Sequence, residues 1–113
     1  MSGVQGGWFA LPDPGLSARF GARYAARYGD QPHPIAPLAY DGIAAIGALV
    51  ARGQSDALTR GALTEARGFA GASGIFRLLA DGTNERGLAV ATIADRQVQV
   101  IDAAPVSFVG AGL

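Results

Sequence analysis

At 113 residues the chain is long enough for one domain but not for two, and half of its residues are hydrophobic, which excludes a disordered segment. Nine basic and nine acidic residues cancel, and all are scattered along the chain, so no nucleic-acid or anionic-membrane partner is expected. Without cysteine there is no disulfide framework, thiolate zinc site or cysteine nucleophile, and neither a signal peptide nor a membrane span is visible.

Residues 4–12, VQGGWFALP, predict a short strand closed by the turn residues of PDPG. Asp13 is placed to cap the helix that follows, and Pro14 suits its first position. Leu16, Phe20, Tyr24 and Tyr28 then recur at four-residue spacing, one face of a helix that Gly29 ends. Leu16, Phe20 and Tyr24 should be buried together, with Arg23 outside. Arg19, Arg23 and Arg27 run beside that face. They read either as an anion-binding row or, more ordinarily, as a solvated edge whose stems cover the core.

GDQPHPIAP is a proline-rich, extended loop. It carries the sole histidine, His33, near Asp30. One His and one Asp cannot make a zinc site, which takes three or four protein ligands. IAPLAYDGIAAIGALVARG, from Ile35, predicts a second helix, apolar on nearly every face and therefore in need of cover on several sides. Asp41, its lone charge before Arg52, reads as an acid hydrogen-bonded to backbone at a layer edge. Ser55 is placed to cap a third helix over residues 56–66, with Asp56 and Arg60 paired at i,i+4.

Beyond that point the period becomes two. Residues 74–79, 88–93 and 97–101 predict strands, the last two joined through the tight ADRQ turn. Alternation sends Val98 and Val100 to one side of the last strand and Gln97 and Gln99 to the other. The tail VSFVGAGL is expected to fray.

FAGASGIFRLLADGTNERGLAV, residues 69–90, is the stretch most suggestive of chemistry. A phosphate cradle needs glycines after a strand and opening a helix, and here the order is reversed. A calcium loop needs alternating oxygen ligands and a closing Glu, and Asp81, Asn84 and Glu85 are too few and wrongly spaced. The stretch reads as architecture: Phe69 anchors, Gly71 and Gly74 allow a close turn into a strand, and Asp81-Gly82 makes a turn. No nucleophile elbow or paired acid and base can be named, so neither an enzyme nor a cofactor is expected.

Taken together, ARFGARYAARYGDQPHPIAPLAYDGIAAIGALVARG, then LTEARGFAGASGIFRLLADGTNERGLAV, then a closing hairpin, resemble the C-terminal part of the type I periplasmic binding proteins, the Leu/Ile/Val receptor family. The resemblance spans Gly6 to about Ile101, and it lies in the order and spacing of the pieces rather than in any one motif. Within that family, GGWFALPDP with ADGTNERGLAV is most similar to the penicillin-binding protein activators.

The resemblance implies an α/β fold of two lobes joined by three crossovers, with a small-molecule ligand gripped between them. This chain would supply the last third, three helices and about four strands. Residues 4–12 and about 88–109 would belong to the C-terminal lobe, and residues 13–87 to the N-terminal lobe, with a hinge crossing near Arg86 to Leu88. Many amino-acid-binding members carry a pocket-lining aromatic five residues before the Tyr of Ala-Tyr-Asp, a position held here by Ile35. Ile35 and Trp8 are the ligand-contacting candidates. The resemblance also implies a non-catalytic, periplasmic role in transport or cell-wall regulation. The partner would be the rest of the parent protein or a second copy covering the apolar helix. The alternative is a free-standing small α+β enzyme or interaction module using Asp41, His33 or the acidic loop.

Overall fold

The computed structural model describes residues 3, 5–53 and 55–108. Val4, the expected start of the first strand, and the tail from residue 109 lie outside them. Strand β1 is Trp8–Leu11, shorter than the sequence suggests, and helix α1 is Pro14–Tyr28. The α1 caps are those the sequence specifies. The Leu16 N–H donates to Asp13 Oδ1 at 3.0 Å, and Gly29 takes the left-handed conformation with φ of 79°. Phe20 is buried while Leu16 and Tyr24 are half-buried beside it, and Arg23 is exposed. Phe20 packs edge-on against Tyr40 at 5.4 Å between centroids, which ties α1 to helix α2, Ala36–Ala51.

The third helix departs from expectation. Helix α3 is only Arg60–Leu63, and Thr59 rather than Ser55 caps it, accepting from the Ala62 N–H. Thr59 sits in an extended conformation and its hydroxyl donates to the Asp56 carbonyl, so residues 56–58 form a turn instead of a first helical turn. Asp56 therefore has no helical partner in Arg60. At the other end the Thr64 hydroxyl donates to the Arg60 carbonyl and closes the element.

Two three-stranded antiparallel sheets follow from the remaining chain. One has the order β2 (Phe69–Gly71), β3 (Gly74–Leu78), β4 (Asn84–Arg86); the other has the order β1, β5 (Ala89–Ala94), β6 (Gln97–Asp102). Strands β2 and β4 were not visible in the sequence pattern. The β5–β6 turn is the expected two-residue one: Asp95 and Arg96 both have positive φ, the geometry that matches strand twist. Val98 and Val100 pair with Ile93 and Ala91, and Gln99 with Thr92, so the two valines share a face and the glutamines take the other. All six residues of β6 are exposed.

The main core lies between α2, α3 and the β2–β3 hairpin, where Ala45, Leu49, Ala57, Phe69 and Phe76 bury one another. The second sheet buries Ala89, Ala91 and Ile93 on its central strand. The chain passes between the two bodies three times: after β1, between β4 and β5, and after β6, where Phe108 is buried and lies under the Arg77 guanidinium, 4.6 Å from its ring centroid.

Candidate functional site: a cleft where the crossing segments meet

The three passages converge on the β2–β3 turn and the start of β3. The Asp13 N–H, leaving β1, donates to the Ser73 carbonyl at 3.0 Å, and the Gly87 N–H, leaving β4, donates to the Ile75 carbonyl at 2.9 Å. The third passage touches the same point, since a β-carbon at Gly87 would lie 2.8 Å from Ile75 Cγ1 and 3.1 Å from Pro105 Cγ. Only glycine lets these backbones approach so closely.

Asp41 fixes this turn from α2. The residue is only 2% exposed, and its Oδ1 accepts from the Ala72 N–H at 2.7 Å. This is the backbone-bonded acid that the sequence suggests, though it is deeper than a layer edge. Oδ2 is also buried and accepts no hydrogen bond among the described residues. Gly71 makes room for it: a β-carbon there would stand 2.5 Å from Oδ2 and 2.7 Å from the Gly74 carbonyl.

Beside the turn opens a cleft of about 290 Å3. Phe20, Ile35, Leu38, Ile75 and Leu88 give it an apolar lining, with Pro12, Pro32, Pro34 and Pro37 stiffening its rim. Its polar groups are few: Ser17, Ser73, His33 and Arg86. Ile35, the N-cap of α2, is mostly exposed, and its N–H donates to His33 Nδ1 at 3.2 Å, so His33 serves to shape the loop. The Arg86 guanidinium lies 5.1 Å from the centroid of Phe76. An apolar cavity with a small number of polar groups suits a small apolar solute.

Of the two sequence candidates, the structure brings Ile35 to this cleft and leaves Trp8 out of it. Trp8 is 77% exposed on β1, opposite Thr92 in the ladder. Sequence reasoning missed Phe20, Leu38, Leu88 and Arg86 as lining residues. The density of prolines in PDP and QPHPIAP, which bracket α1, was the available signal. The acidic loop is a turn. Asp81 Oδ1 accepts from both the N–H and the hydroxyl of Thr83, bonds that hold the Asp81 carboxyl below its ordinary pKa. Among the described residues, no three His, Cys, Asp or Glu side chains are grouped to hold a metal.

No protein-family model matches the sequence, and comparison with curated proteins found no match. Solved structures do match. A protein described as a branched-chain amino acid ABC transporter from Rhodospirillum rubrum superposes with a TM-score of 0.70 at 24% identity over 87% of this chain. A leucine binding protein, LivK, from Thermotoga maritima superposes with a TM-score of 0.51 at 21% identity over 89% of it. In each case the chain spans 31% of the matched protein's length. The chain has the fold of a fragment of a type I periplasmic binding protein.

Proposed function

We propose that the chain is a non-catalytic part of a solute-binding domain and that the cleft beside the β2–β3 turn is its share of the ligand site. The observation that carries this reading is the convergence of three passages between two sheets on one apolar cavity. Such a point moves least when two bodies close on a ligand, so it is where a captured solute can be gripped without straining either body. The ligand class that fits is an aliphatic amino acid or a similar small apolar solute, in keeping with what the two matched proteins are named for. Ile35 would contact its apolar side and Arg86 is the nearest cation. Trp8 would act only from outside the cleft, at the rim of the other sheet.

The partner in this reading is whatever covers α2, either the remaining two thirds of the domain or a second copy of this chain. Among the described residues no helix is long and apolar enough to cross a membrane, and the proposed setting is the periplasm. Neighbouring permease and ATPase genes would support transport, and a solitary lipoprotein gene would support cell-wall regulation.

The test is a titration of the isotopically labelled chain with leucine, followed through its backbone amide signals. Saturable shifts are expected at Ile35, Leu38, Gly74 and Leu88, weakened about tenfold by Ile35→Asp, which places a charge on an apolar surface. Glutamate should produce no such shifts. If leucine moves none of these signals, the cleft is not a ligand site.

A further inference from the structure

A second groove lies between α1 and α2, on the far side of Phe20 from the crossing segments. Its lining is a run of rings flanked by cations. Phe20 forms the floor, Tyr24 lies 6.3 Å from it, Tyr28 lies 4.7 Å from Tyr24, and Tyr40 closes the α2 side. Arg23 sits over the Tyr40 ring and Arg27 over the Tyr28 ring, each 5.8 Å from the centroid.

The electrostatics of this groove are one-sided. Helix α1 contains no acidic residue, and the two ion pairs among the described residues occupy Arg52 and Arg77, on other elements. The single acid of α2, Asp41, is turned away to the Ala72 N–H, and Asp30 beyond the end of α1 accepts from the Gln31 N–H. In a chain whose charges sum to zero, Arg19, Arg23 and Arg27 thus form a local excess of cations. A guanidinium held against a ring keeps its in-plane N–H donors free for a carboxylate or phosphate. The rings offer faces on which a flat molecule stacks. The cavity, about 340 Å3, is near the lower end of the roughly 300–1,000 Å3 usual for small-molecule pockets, enough for one or two fused rings.

We propose that the α1–α2 groove binds a planar aromatic anion, an aryl carboxylate or aryl phosphate, with the tyrosine rings stacking on the ligand and Arg23 and Arg27 pairing with its charge. This site shares the Phe20 ring with the solute cleft, but its tyrosines and arginines line the groove alone. Both the ring and the charge are required, because neither an exposed arginine pair nor an exposed ring face alone holds a ligand firmly in water.

The experiment is a titration of the chain with 2-naphthoate, read through the aromatic signals of Tyr24, Tyr28 and Tyr40. Parallel titrations use 2-naphthylmethanol, which keeps the rings without the charge, and acetate, which keeps the charge without the rings. Naphthoate should shift the three tyrosines saturably and bind about tenfold more tightly than either control, less so as salt is raised. The double variant R23Q/R27Q should weaken it about tenfold, whereas R96Q, on the β5–β6 turn, should leave it unchanged. Equal binding of naphthoate and naphthylmethanol, indifference to R23Q/R27Q, or no saturable shift of the tyrosines would overturn the proposal.

Discussion

Asp41 shows how one side chain can hold a junction together. Its Oδ1 satisfies a backbone N–H in the turn beside which the three passages meet, so Asp41→Ala leaves the half-buried Ala72 donor without that partner at a cost of about 1 kcal/mol. Asp41→Asn keeps an acceptor of the same shape and should cost less, an ordering that chemical denaturation of both variants would check. Gly71→Ala should be at least as damaging as Asp41→Ala, about 1–3 kcal/mol, because its β-carbon meets both Asp41 Oδ2 and the Gly74 carbonyl, the second of which is backbone. A milder effect at Gly71 than in Asp41→Asn would show that the turn is looser than described. On the surface, Arg52 donates to both oxygens of Glu65 at 2.8 and 2.9 Å, which holds the Glu65 carboxyl below its ordinary pKa. A depressed pKa gives stability that is present above the unfolded-state value and lost as pH falls through the folded value. The melting temperature of Glu65→Gln should therefore lie below that of the parent at neutral pH and converge with it below about pH 4. A constant gap down to pH 3 would contradict that pairing.

At the scale of elements, legibility followed the strength of the local signals. Helix α1 was readable because its cap, its apolar stripe and its terminating glycine agree, and the structure uses all three. Asp13→Ala should accordingly cost about 1 kcal/mol, measured by thermal or chemical unfolding. The β5–β6 hairpin was readable for a similar reason, alternation on both sides of a two-residue turn. Helix α3 was overextended because Ser55 and Thr59 are competing caps, and the helix starts from the later one. Strand β2 has three residues and includes two of the smallest side chains, and β4 is Asn-Glu-Arg, polar throughout. Neither presents an alternation to read, and both form because β3 between them offers its backbone on both sides. The cleft was half-legible for a geometric reason. Ile35 and the prolines were placed by resemblance and composition, but Leu88 and Arg86 reach it only through the meeting of β3 and the β4–β5 passage, a contact no local pattern encodes.

At the scale of the whole molecule, the chain does not close on itself. Its radius of gyration is 16.3 Å, against about 13 Å for a compact domain of this length. Its accessible surface, 7712 Å2, is about a third larger than the roughly 5,800 Å2 expected for a folded monomer of its mass. Helix α2 accounts for the character of the excess. Asp41, Ala45 and Leu49 face the core, while Ala39, Ile43, Ile46 and Val50 line the opposite side at spacings of four, three and four, all exposed. That is the pattern of a helix made to be covered on both sides, as expected for a chain that spans 31% of the proteins whose fold it shares. The excess area exceeds the ~800 Å2 that each partner contributes to a standard interface, so the cover should be a stable one. Light scattering coupled to size-exclusion chromatography at micromolar concentration tests this most directly. The account predicts a mass of at least twice 11.5 kDa, falling toward the monomer when Ile43 and Ile46 are both replaced by Glu. A stable 11.5 kDa monomer in which Ile43, Ile46 and Val50 are protected from solvent would contradict it.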